Sequence, residues 1–304
     1  MKKLVKIIVF VCVLSVAMLF SCKQSENNET ILKGTTTILV DETLKPIIED
    51  QIAVFESKYN AKINIDAKSE TETLLALLKD TASIAVLSRT LDQDELRIFE
   101  NKKIKPRITK FATDAIAFIA NNKSKDTLID LEEVVLFMKG KSKKFKGLVF
   151  DNLNSSTVRY MNKLAGIDQI PATGVFSFKT NEEVIKFVAE NEGMIGVVGL
   201  NWLYQPTPSN SNYVKKVIVL NVKGIGKSSY FAPTQNNMAE GSYPLARDLY
   251  IVNCQGYSGL GMGFASFIAG DIGQRIILKS GLLPVSVPTR NIIIRKEIEK
   301  KDTK

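Results

Sequence analysis

The 304-residue chain contains no histidine. Without an imidazole there can be no Ser-His-Asp or Cys-His activation of a nucleophile, no H-E-x-x-H zinc site and no imidazole pH switch. An enzyme built on this chain would have to work with carboxylates, lysine, tyrosine or a cofactor. Cysteine is scarce too, with three in the whole sequence. What is present is ordinary for a globular protein. Hydrophobic residues make up 45% and charged residues 24%, which speaks against disordered and fibrous classes. The length allows one large domain or two of moderate size, each able to bury a core.

The start of the chain is distinct from the rest. Lys2, Lys3 and Lys6 precede a 14-residue apolar stretch over 7–20. A membrane-spanning helix needs about 20 residues, so this stretch reads as the apolar region of a secretory signal. It ends in Leu19-Phe20-Ser21-Cys22, which resembles the lipobox of bacterial lipoproteins. That resemblance implies cleavage before Cys22, lipidation of Cys22, and residues 1–21 as the removed signal peptide. Residues 22–33 are polar and read as a flexible tether. No later stretch is apolar and long enough to span a bilayer. The expected location is the bacterial cell envelope, held by lipid, on the periplasmic or outer-membrane face. Cys12 leaves with the signal and Cys22 becomes the lipid site, so Cys254 has no disulfide partner and reads as a buried structural thiol. Loss of three signal lysines and no acid lowers the formal charge from +9 to +6. No nucleic-acid motif or aromatic-interleaved basic patch is present, so no nucleic acid is expected as a partner.

The body alternates strands and helices. A β-branched strand over 35–40 is followed by helical spacing of Leu44, Ile47, Ile48, Ile52, Phe55 and Tyr59, with Thr43 as a candidate N-cap. A strand around Ile63 and Ile65, a leucine-rich helix over 73–79 and a buried strand at Ile84–Leu87 come next. Further on, the pattern predicts strands over 115–120, 148–150, 195–198 and 217–222. It predicts helices at Leu131–Met138, from about 155 to 164, at Asn181–Glu190, and as a pair over 263–269 and 272–279. Such β-α-β-α-β order implies parallel pairing with helices on both faces, and its extent suggests two α/β lobes.

Ligands of open α/β sheets sit beyond the carboxyl ends of strands. That rule selects Asp41-Glu42-Thr43, Ser88-Arg89 and residues 151–157. All three loops carry hydroxyls. Thr43 opens one helix, and Ser155, Ser156 and Thr157 open another. A helix N-terminus offers free N–H groups and partial positive charge, so it favours anions. Arg89 adds a planar, permanently charged fork suited to an oxyanion. Taken singly, each Ser or Thr reads first as an ordinary N-cap, and it is the three loops together that point to a ligand site.

Motifs spread along the chain carry a family resemblance. Ala76-Leu77-Leu78 through Ser88-Arg89-Thr90-Leu91, Asn154-Ser155-Ser156-Thr157 and Asn191-Glu192-Gly193-Met194-Ile195-Gly196 occur in order. They are followed by Tyr243-Pro244-Leu245-Ala246-Arg247-Asp248-Leu249-Tyr250 and by Gly281-Leu282-Leu283-Pro284. Together they resemble the phosphate-binding proteins that serve phosphate ABC transporters. The resemblance implies an α/β fold of the two-lobed type II periplasmic binding protein kind. Each lobe would be a mixed, mainly parallel sheet flanked by helices, with two hinge crossings near 112–115 and 243–245. One lobe would hold 34–113 plus 245–304, and the other 114–244. It also implies a monomer that captures phosphate or a related oxyanion and docks on a transporter permease. The positions matching the family's ligand contacts are Thr43, the Leu44 N–H, Ser88, Ser155, Ser156 and Thr157, with Asn154 and Arg89 beside them. Neither a cofactor nor a metal is implied, and binding rather than catalysis is expected.

Three carboxylates depart from the family pattern. Ser69-Glu70-Thr71-Glu72-Thr73 stands where a glycine-rich turn is usual, and Asp151 stands near a usual arginine. Asp41, Glu42 and Asp151 are candidate acceptors of a ligand proton. Several acids with one evident cation would instead repel an oxyanion. Arg159, one helical step beyond the hydroxyl motif, is a second cation whose direction the sequence leaves open. An alternative therefore stands: an envelope or surface lipoprotein of this fold, acting as a sensor or assembly factor with a degenerate anion site.

Overall fold

The computed structural model describes residues 29–171 and 173–287. The signal stretch, Cys12, Cys22, the tether up to residue 28 and the charged tail lie outside the described residues. The chain runs through β1 (Lys33–Asp41), a 3-10 turn (Glu42–Leu44), α1 (Lys45–Lys58) and β2 (Asn60–Lys68). It continues through α2 (Glu70–Leu78), β3 (Ile84–Leu87), α3 (Gln93–Asn101) and the long β4 (Arg107–Asn121). Then come β5 (Leu128–Asp130), α4 (Leu131–Met138), β6 (Gly147–Phe150), α5 (Ser156–Ala165), β7 (Val175–Ser177), α6 (Asn181–Glu190) and β8 (Met194–Gly199). Short pieces follow: α7 (Asn201–Tyr204), α8 (Ser211–Val214), β9 (Val217–Val219), β10 (Asn221–Lys223), β11 (Tyr230–Phe231) and α9 (Gln235–Ala239). The described chain closes with β12 (Ala246–Asn253), α10 (Leu260–Ala269), α11 (Asp271–Lys279) and β13 (Leu283–Pro284).

The strands form a curled mixed sheet in the order β2-β1-β3-β12-β4-β8-β6-β7, with β13 and β9 also on β4. β1 pairs in parallel with β2 and β3, as the β-α-β-α-β reading requires. β4 is the shared element. Its residues Arg107 to Ala115 pair antiparallel with β12, and Ile116 to Ile119 pair antiparallel with β8. One strand therefore belongs to both halves of the sheet, and the partner changes between Ala115 and Ile116. Tyr243 seals this crossing: its buried hydroxyl donates to the Ile116 carbonyl at 2.7 Å.

Helices cover both faces of the first half, so successive residues of one strand enter different cores. Ile38 and Val40 of β1 pack with Ile47, Phe55 and Phe264, whereas Leu39, Ala85 and Leu87 pack with Leu77 and Phe99. Every β3 side chain is buried for this reason. The stretch expected as one strand over 217–222 divides at Leu220. β9 stays on β4, while β10 turns to β5 in a separate three-stranded sheet.

Among the described residues no helix is long and apolar enough to cross a membrane. Nor is any group of His, Cys, Asp or Glu arranged to hold a metal ion. Cys254 is half-buried and free, and burial raises its thiol pKa to about 12.

Candidate functional site

Four strand ends deliver polar residues to the seam between the two halves. β1 ends in Asp41, and its carboxylate caps the 3-10 turn by accepting from the Thr43 N–H at 3.4 Å. Thr43 is thereby freed from capping. Its hydroxyl crosses the seam and donates to Asp151 at 3.1 Å, and α1 begins later, at Lys45 with Pro46 in its first turn. The Thr43 carbonyl is held from the far side by Asn201 and by the Trp202 indole, at 3.0 and 2.9 Å. Gly199 makes this approach possible, because a Cβ there would lie 2.8 Å from the Thr43 methyl.

Past β6, Ser155 caps α5 by accepting from the Val158 N–H and donates its proton to Asp151 at 2.5 Å. Asn181, the first residue of α6, donates to Asp151 at 3.1 Å and to Glu42 at 2.8 Å. Asp151 thus accepts from Thr43, Ser155 and Asn181, and it is fully buried. Ser156 accepts from the Arg247 guanidinium at 3.0 Å. Arg247 in β12 also donates to Asp114 in β4, at 3.1 and 3.3 Å, with both residues buried. Thr157 is fully buried, and its hydroxyl has no hydrogen-bond partner among the described residues.

Ser88, past β3, meets a different carboxylate. Its N–H and hydroxyl both donate to Glu70 Oε1, at 3.3 and 3.0 Å. Arg159 of α5 reaches across the seam, pairing with both Glu70 oxygens and with the Ser88 hydroxyl. Glu72, by contrast, completes a capping box with Ser69 at the start of α2 and keeps its pKa lowered through those hydrogen bonds. Two of the three departing carboxylates therefore lie in the site, and the third serves a helix end.

The structure brings Asp41, Glu42, Thr43, Ser88, Asp151, Ser155, Ser156 and Thr157 to one seam. Leu44 is buried at the mouth of α1. Asn154 contributes its carbonyl, which accepts from the Thr71 N–H and hydroxyl. Arg89 turns away. Its guanidinium is taken by Glu95 at 2.8 and 2.6 Å, chiefly the bond that raises its pKa. The cations beside the hydroxyls are Arg159 and Arg247 instead. Asn181, Asp114 and the role of Arg247 were not foreseen from the sequence. Thr180-Asn181 follows β7 as a capped helix opening, so the same strand-end rule reaches it.

Five carboxylates crowd two arginines here, and burial raises the pKa of Asp41, Glu42, Asp114 and Asp151. Desolvation raises Asp41 to about 7, with the charge of Glu70 adding and Arg247 opposing. Burial and the charge of Asp151 raise Glu42 to about 8, against the Asn181 hydrogen bonds. Asp151 is raised to about 6 by burial, held from going higher by Ser155, Thr43 and Arg247. Near neutral pH the seam therefore retains protons on some of its carboxyls, and a protonated carboxyl can donate a hydrogen bond.

A two-halved α/β body with polar strand ends meeting at a shared seam defines a periplasmic-binding-protein class of fold. The profile of the PBP superfamily domain matches residues 25–271, and the chain belongs to that superfamily. Among curated proteins, the phosphate-binding protein PstS of Borreliella burgdorferi is 25% identical over 299 residues, covering 92% of this chain and 99% of its own. The Pseudomonas aeruginosa protein of the same name is 22% identical over 281 residues, covering 84% of each chain. Solved structures agree on the fold. A Clostridium perfringens substrate-binding protein with bound phosphate matches with a TM-score of 0.69 at 19% identity, over 83% of this chain and 100% of its own. An ABC-type phosphate transport receptor of Vibrio cholerae gives 0.61 at 17% identity, with the same coverage.

Proposed function

We propose that the protein is an extracytoplasmic solute-binding protein, anchored by lipid on Cys22, that captures phosphate or a closely related oxyanion and presents it to an ABC transporter permease. The observation that carries this reading is the convergence of Thr43, Ser88, Ser155 and Ser156, from three strand ends, beside Arg159 and Arg247. Hydroxyls, helix-opening N–H groups and guanidinium forks are the donor set of an oxyanion site. The full-length similarity to proteins named for phosphate binding supports the same ligand.

Thr43, the Leu44 N–H, Ser88, Ser155, Ser156 and Thr157 would hold the oxyanion, with Asn154 at the rim. Asp41, Glu42 or Asp151, where ionised, would accept a hydrogen bond from the ligand proton, a discrimination that favours hydrogen phosphate over fully ionised sulfate. Lobes of 34–113 plus 245–304 and of 114–244 would swing about the strand crossings at 115–116 and 243–245, as hinge closure does in this class. Arg89 would stabilise the entry to α3 rather than touch ligand.

The sensor or assembly-factor reading is favoured by one observation: Glu70 and Asp151 already take the donors. Equilibrium dialysis against labelled phosphate tests the two. Saturable uptake that Ser156→Ala weakens at least tenfold supports capture, and no uptake supports the sensor reading. Labelling of cells with a fatty acid, lost in Cys22→Ser, tests the anchor.

A further inference from the structure

The donor set at Ser88 is complete, yet it is aimed at the protein itself. Glu70 is the first residue of α2 and is 3% exposed. Its Oε1 accepts from the Ser88 N–H, the Ser88 hydroxyl and the Arg159 guanidinium. Its Oε2 accepts from Arg159 Nε. A backbone N–H, a hydroxyl and an arginine fork around two oxygens are what a bound oxyanion would receive. The partners also lie on opposite sides of the seam: Glu70 and Ser88 belong to the half built on β1 and β3, and Arg159 to the half built on β6 and β8. The next residue, Thr71, donates to the Asn154 carbonyl across the same seam.

We propose that Glu70 is a built-in stand-in for the oxyanion, occupying the Ser88–Arg159 donors and latching the two halves together when no ligand is bound. The affinity consequence rests on the anion-capture reading above, and the closure consequence does not.

The physical case is one of exclusion. A carboxylate and a phosphate cannot share one donor set inside a buried seam, because two like charges at contact distance repel strongly where water cannot screen them. An incoming oxyanion must first displace Glu70, and its apparent affinity is reduced by the fraction of molecules in which Glu70 holds the donors. The ordinary requirement that ligand bridge the halves is met by an internal side chain. Such a protein reports ligand by exchanging one closed arrangement for another. Glu72 offers no such competition, since both its oxygen contacts and its N–H are spent on Ser69. Arg89, which lies next to Ser88 in sequence, is committed to Glu95 and leaves Arg159 as the cation of the latch.

Two measurements on the full-length soluble body, stripped of phosphate, test the proposal. Small-angle X-ray scattering reads closure without ligand, and isothermal titration with inorganic phosphate reads competition. Wild type should scatter as a compact body, and Glu70→Gln should show a larger radius of gyration. Glu70→Gln should also bind phosphate about tenfold tighter than wild type. Arg159→Gln, at a partly exposed position, should open the body in the same way without the gain in affinity, because it removes a cation the ligand also uses. Unchanged scattering in both variants overturns the latch. Expansion in both, with no phosphate heat in any protein, keeps the latch and refutes the phosphate reading. Expansion with weaker phosphate binding in Glu70→Gln overturns the stand-in role, because it makes Glu70 part of the receiving site.

Discussion

Arg247 of β12 and Asp114 of β4 form a buried ion pair at the strand where the two halves of the sheet meet. The guanidinium donates to one carboxylate oxygen at 3.1 and 3.3 Å and spends its remaining arm on Ser156 at the opening of α5. One cation therefore ties the shared strand to the helix opening that carries the hydroxyls. Its charge also opposes the burial that raises the pKa values of Asp41 and Asp151.

Removing that cation should be costly. Arg247→Met leaves Asp114 buried and uncompensated, and loss of one partner of a buried pair costs about 3–5 kcal/mol. Urea unfolding should show this loss. The double variant Arg247→Met with Asp114→Leu should recover a large part of it, because the stranded charge is gone.

The raised carboxyls give the fold an acid-side optimum. In the unfolded chain Asp41, Glu42 and Asp151 titrate near their ordinary values of about 4. In the folded protein they hold protons up to about 7, 8 and 6. Between these limits the folded state binds more protons, so stability falls as pH rises. The melting temperature should decline from pH 5 to pH 8. In Asp41→Asn with Glu42→Gln the decline should flatten, and an undiminished slope would place the titrating groups elsewhere.

Glu72 and Glu70 are two positions apart and should behave differently. Glu72→Ala breaks the capping box of α2 and should cost about 1 kcal/mol in thermal unfolding. Phosphate binding should stay as in wild type. A change in affinity on Glu72→Ala would move the site toward the outer face of α2.

Gly199 tests the contact between the halves. A Cβ there meets the Thr43 methyl at 2.8 Å and the Thr43 carbonyl at 3.2 Å. Gly199→Ala should destabilise by about 1–3 kcal/mol, the usual range for overpacking. It should also weaken the Thr43–Asp151 hydrogen bond, seen as faster amide exchange at the 3-10 turn.

Much of the fold is legible in the sequence where one periodicity dominates. Ile84–Leu87, Leu131–Met138 and Asn181–Glu190 stand at the predicted bounds because apolar runs and caps mark both ends. β4 begins well before the strand predicted over 115–120, since Arg107, Lys110 and Asp114 break the apolar signal in the half that pairs with β12. The hydroxyls of the site were legible from the strand-end rule. Their partners were not, because Asp151 to Thr43 and Glu70 to Arg159 are separated by 108 and 89 positions. A side chain's direction at such range is set by how the halves pack. Arg89 and Arg159 illustrate this: the arginine beside Ser88 in sequence faces Glu95, and the one far away reaches the Ser88 hydroxyl.

The measurement that bears most directly on the central claim is calorimetric titration of the stripped protein with phosphate, and with sulfate as the fully ionised control. The account predicts saturable one-to-one binding of phosphate in wild type, tighter in Glu70→Gln and lost in Ser155→Ala, with no comparable heat from sulfate. Absence of saturable phosphate heat in both wild type and Glu70→Gln would contradict it.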